Sequence, residues 1–80
     1  MPDHKFLPLL GGRIKELRVK KEMTQCELAI LCNFEKASMS RIESGKTNVT
    51  ILTLRKICNA LEVDIGEFFG YSPYQELTIR

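Results

Sequence analysis

The run from Met23 to Gly45, MTQCELAILCNFEKASMSRIESG, constrains the fold most, because it reads as two short helices joined by a tight turn. Thr24 and Glu27 have the S/T-x-x-E spacing of a capping box, in which hydroxyl and carboxylate each satisfy a backbone N–H left unpaired at a helix start. Leu28, Ala29 and Cys32 follow at helical spacing and form the inward face of a helix from about Gln25 to Cys32. Asn33 tolerates the left-handed backbone and breaks the run. Met39 and Ile42 recur within a second helix from about Lys36 to Ser44, and Gly45 stops it. The remainder of the chain reads as the body that holds this pair.

That body is helical as well. From Arg13 to Glu22, Ile14, Leu17 and the stem of Lys21 share one face, while basic residues fill the other. Pro8 suits a first helical turn, and Gly11 and Gly12 weaken that turn, so the helix is expected to start between residues 9 and 12. Residues 1–8 carry no periodicity and are expected to form a flexible arm. Asn48 or Thr50 caps a fourth helix whose apolar stripe is Ile51, Leu54, Ile57, Cys58 and Leu61. Asp64 and Glu67 repeat the capping-box spacing and open a short fifth helix, which brings Phe68 inward and ends at Gly70. Residues 71–80 read as a tail. The expected architecture is all-α, a compact five-helix domain over residues 9–70.

Two helices joined by such a turn form a helix-turn-helix. The chain resembles the Cro/phage-repressor helix-turn-helix family, often called Xre. The resemblance rests on Thr24-Gln25, Glu27-Leu28-Ala29, Met39-Ser40-Arg41-Ile42-Glu43 and Gly45, followed by Leu54, Ile57, Ala60-Leu61 and Val63. It runs from about Gly12 to Phe69. It implies a sequence-specific regulator of transcription that binds double-stranded DNA, with the helix over about 36–44 in the major groove. Lys36, Ala37, Ser38 and Arg41 would face base edges; the alternative for Arg41 is a solvated surface arginine, and Lys36 can equally meet phosphate. An arginine pairs bidentately with guanine and discriminates by about 1–3 kcal/mol. Thr24, Gln25, Arg13, Ser40, Ser44, Lys46 and Asn48 would meet backbone phosphates, although Lys46 reads equally as a loop lysine. Arg18 and Glu43 occupy positions that the family often joins as an ion pair. A homodimer on an inverted-repeat operator is expected, with Ile65, Phe68, Phe69 and Tyr71 as its interface; the alternative for Phe68 is plain core. Two departures stand out. Glu35 replaces the serine or threonine usual before the third helix, and Ile30 and Leu31 are apolar where the family is usually polar, suiting cover by the amino-terminal segment or a partner surface.

Composition sets the limits around this reading. The net charge of +2 does not by itself point to nucleic acid, but Arg13, Lys15, Arg18, Lys20 and Lys21 crowd the first helix, and Lys36, Arg41 and Lys46 surround the third. No stretch approaches the ~20 apolar residues of a membrane span. The amino terminus lacks the apolar core of a signal peptide. Cys26, Cys32 and Cys58 have no C-x-x-C spacing and the single histidine, His4, is remote, so no metal is expected. An odd cysteine count suits a reducing, cytoplasmic setting. No cofactor or small-molecule ligand is indicated, and 80 residues leave no room for a separate effector domain. An enzyme finds no support: there is no phosphate-cradling glycine loop and no histidine near a nucleophile. The competing class is a helix-turn-helix adaptor that binds protein and not DNA, which Glu35 and the modest net charge favour.

Overall fold

Five helices follow one another in the computed structural model, which describes residues 2–70: α1 (Asp3–Lys20), α2 (Gln25–Cys32), α3 (Lys36–Glu43), α4 (Ile51–Leu61) and α5 (Ile65–Phe68). The described residues form no strand. The fold is the all-helical one expected.

Helix ends follow the local chemistry closely. Thr24 Oγ1 accepts from the Glu27 N–H at 3.0 Å, and Glu27 Oε1 accepts from the Thr24 N–H at 2.7 Å, closing the capping box at α2. Thr50 caps α4 through the Thr53 N–H. Asp64 stands at the start of α5 with extended backbone, but its side chain makes no capping bond, contrary to the expected box. At the other ends, α1, α2, α3 and α4 each pass into a left-handed residue: Glu22, Asn33, Gly45 and Glu62. The following N–H reaches back five residues in every case, from Met23 to Arg18, Phe34 to Ala29, Lys46 to Arg41 and Val63 to Cys58. These are Schellman closures, which satisfy carbonyls that a helix end leaves open.

The core gathers Leu10, Ile14, Leu17, Leu28, Met39, Ile42, Leu54, Ile57, Leu61 and Phe68 around the smaller Ala29, Cys32 and Cys58. Burial raises the thiol pKa of Cys32, with Lys56 pulling weakly the other way, and raises that of Cys58 by burial alone. Both are packing residues; Cys26 is free and exposed. Ile51 drops out of the expected α4 stripe. It lies 74% exposed at the first turn, beyond the end of the core. Ile30 and Leu31 are also exposed, so the amino-terminal segment does not cover them.

The largest departure lies at the start. Residues 1–8, expected as a loose arm, are helical from Asp3 onward, and Pro8 sits inside α1. Proline removes one intrahelical bond, yet burial continues through it: Leu7 packs on the core and Leu10 is buried, extending the Ile14–Leu17 stripe by two turns. Gly11 and Gly45 explain how α1 comes so close to α3. A Cβ at Gly11 would collide with the carbonyl oxygens of Ile42 and Glu43, and one at Gly45 would meet the backbone of Pro8. A Cβ at Gly12 would meet nothing.

Candidate nucleic-acid interface

Helix α3 turns Met39, Ile42 and Glu43 inward and leaves Lys36, Ala37, Ser38, Ser40 and Arg41 exposed. Between its caps the exposed surface therefore carries two cations and no carboxylate, because Glu43 is buried and engaged; Glu35 is exposed at the N-cap and makes no capping bond. Ala37 and Arg41, four residues apart, share the side away from the core and form the crest. The described residues contain no cluster able to hold a metal ion.

The Arg18–Glu43 pair is present. Arg18 Nε donates to Glu43 Oε2 at 2.7 Å and Nη2 to Oε1 at 3.1 Å, with both side chains largely buried. Nη1 of Arg18 also donates to the Met23 carbonyl at 2.8 Å. Gln25 Nε2 donates to Glu43 Oε1 at 3.0 Å. One buried carboxylate thus ties the end of α1, the start of α2 and the end of α3 together.

Two recesses flank the crest. On one side, Lys15, Arg18, Gln25, Lys36, Ser40, Glu43 and Ser44 line a hollow of about 310 Å³. On the other, Ser38 and Arg41 join Phe34, Ile42, Thr47, Asn48 and Thr53 around one of about 270 Å³. Lys36 consequently stands with the first group, apart from the edge that carries Ser38 and Arg41. Ser44 Oγ donates back to the carbonyl of Ser40 at 2.9 Å, and Lys46 is exposed just after α3. Thr24 is exposed, its hydroxyl oxygen serving the α2 cap.

Arg13 is placed elsewhere. Its Nε donates to the Phe68 carbonyl at 2.6 Å and Nη2 to the Glu67 carbonyl at 3.0 Å, while Nη1 pairs with Glu16. Arg13 closes the carboxyl end of α5 and does not join the α3 recesses. Lys15, two residues on and so on the opposite side of α1, occupies the place expected of it. The sequence signal for this was available: Lys15 lies three residues before Arg18, the residue that marks the α3-facing side. For Phe68 the plain-core alternative holds, and it leaves the expected interface. It is 0% exposed and belongs to the core, whereas Phe69 is 56% exposed and Ile65 is exposed beside it. Tyr71 lies outside the described residues.

Residues 13–74 match the profile of the Cro/C1-type HTH DNA-binding domain. The chain belongs to the Cro/C1-type family. Among its relatives, the control protein C.MunI of Mycoplasma sp is 33% identical over 61 residues, covering 75% of this chain and 82% of that protein. The immunity repressor of Bacillus phage phi105 is 30% identical over 61 residues, and the match covers 76% of this chain but only 42% of the repressor. The restriction–modification controller C.AhdI from Aeromonas hydrophila superposes with a TM-score of 0.78 at 31% identity, covering 84% of this chain and 99% of that one. The controller C.Esp1396I, solved as a tetramer with its natural 35 base-pair operator, gives 0.75 at 38% identity, covering 80% and 84%. This family of helix-turn-helix regulators holds both repressors and control proteins. No helix among the described residues is long and apolar enough to cross a membrane.

Proposed function

We propose that this Cro/C1-type chain is a sequence-specific transcriptional regulator, acting in the cytoplasm as a homodimer on an inverted-repeat operator. The observation that carries the reading is the exposed, cationic face of α3 from Lys36 to Arg41, with a recess on either side. A helix in the major groove meets base edges along its crest and a phosphate wall at each flank. Arg41, Ala37 and Ser38 would read bases: Arg41 the O6 and N7 of guanine, Ala37 the methyl of thymine. Lys36, Gln25 and Ser40 would hold one backbone, joined by Ser44 once its hydroxyl turns from the Ser40 carbonyl, and Asn48 and Lys46 the other. The Gln25 and Cys26 N–H groups, which the Thr24–Glu27 capping box does not use, favour a phosphate oxygen.

A single module reads few base pairs, so a second copy is needed. Phe69 is exposed next to Phe6 and Leu9 of α1, Ile65 is exposed one turn before it on α5, and this apolar surface suits the dimer contact. A dimer would set its two α3 helices about 34 Å apart, one turn of DNA. Selection of bound sequences from a random DNA pool tests all of this at once. Enrichment of an inverted repeat with half-sites one turn apart is the expected result. A pool that remains random would favour the adaptor class instead.

A further inference from the structure

We propose that Lys15 and Lys36 together take one phosphate of the DNA backbone in the recess between α1 and α3. This assignment rests on the DNA-binding reading above and adds Lys15, which neither the family resemblance nor the charge pattern singles out.

The recess is built for an anion. Lys15 and Lys36 are exposed at its edges, and neither enters an ion pair among the described residues. Its one carboxylate, Glu43, accepts from both Arg18 and Gln25, so its charge is neutralised where it would otherwise repel a phosphate. The lining therefore carries two uncompensated positive charges, together with the Gln25 amide and the Ser40 hydroxyl. A lysine ammonium is a mobile point charge suited to a phosphodiester, which offers acceptors in several directions. The recess lies to one side of the Ala37–Arg41 crest, where a groove wall would run while the crest faced base edges.

The test is the salt dependence of binding by the full chain. Each lysine on a phosphate adds roughly one unit to the slope of log K against log salt. Lys15→Gln should lower that slope by about one and weaken matched and mismatched DNA by the same factor, with melting unchanged. Lys15→Arg should restore it. Lys21→Gln removes an equal charge from the far end of α1, where Lys21 lines a different cleft with Lys56, and should leave the slope alone. A wild-type slope in Lys15→Gln, or a loss confined to one DNA sequence, overturns the assignment. Absence of DNA binding by the wild-type chain overturns the functional reading itself, and this assignment with it.

Discussion

Helix α3 is held along its α1 seam by means quite unlike those that join α2 to α4. Across the α2–α4 seam, Leu28, Ala29 and Cys32 meet Leu54, Ile57, Cys58 and Leu61, an apolar contact throughout except that the Cys32 thiol lies 3.9 Å from the Lys56 carbonyl. Across the α1–α3 seam, a glycine lies against two carbonyl oxygens and a buried ion pair spans the gap. The reason is supply. α4 offers four buried apolar side chains to the core, whereas α3 offers only Met39 and Ile42 beside the buried Glu43 and keeps the rest of its surface outward. Hydrocarbon packing is non-directional and tolerates exchange of one side chain for another of similar volume. A bidentate pair and a backbone contact fix orientation, which is what a helix presented to a rigid partner requires.

Removing the ion pair should do the most damage. Glu43→Ala leaves Arg18 buried without its partner and releases Gln25, at a cost of about 3–5 kcal/mol. Melting followed by circular dichroism should fall sharply, and DNA affinity should fall with it. An unchanged melting temperature would erase the distinction between the two seams.

The glycine contact comes next. Gly11→Ala should cost about 1–3 kcal/mol, because the added methyl meets backbone that cannot rotate away. Gly12→Ala, one residue on and facing open space, should instead stabilise α1 by up to about 1 kcal/mol. Chemical denaturation of the two variants gives opposite signs if the close approach is real; equal effects would reduce Gly11 to ordinary helix propensity.

The apolar seam should respond least. Leu54→Met keeps volume and hydrophobicity and should cost under about 1.5 kcal/mol, with DNA affinity unchanged. A loss as large as that of Glu43→Ala would show that α3 depends on the α2–α4 contact as strictly as on α1.

Much of this was open to reading in the residues alone. The capping box at Thr24 and Glu27, the left-handed closure at Asn33 and the stop at Gly45 are local, decided within a few residues by backbone chemistry. The inward faces of α2, α3 and most of α4 follow from periodicity. The Arg18–Glu43 pair was reached through family resemblance, since 25 residues separate the partners and no local rule joins them. Three misreadings share a cause. Pro8 as a first-turn residue, with Gly11 and Gly12 weakening that turn, puts the helix start at residues 9–12, because propensity knows nothing of what packs there; the spacing of Leu7, Leu10, Ile14 and Leu17 holds the opposing signal. Arg13 was grouped with the cationic face when its carbonyl partners lie more than 50 residues away. Ile51 continued a stripe that outran the core it pointed toward.

The sequence by itself determined where the helices after α1 start and stop, which side of α3 faces in, and the family to which the chain belongs, because each depends on short-range spacing. Only the tertiary structure decided that α1 reaches back to Asp3, that Gly11 is a contact surface, and that Lys15 and not Arg13 stands beside the exposed face of α3. Two residues on one helix differ by more than half a turn, so charge counted along the chain assigns both to one cluster. Which of them meets α3 depends on how α1 lies across the others, and that is set by long-range packing.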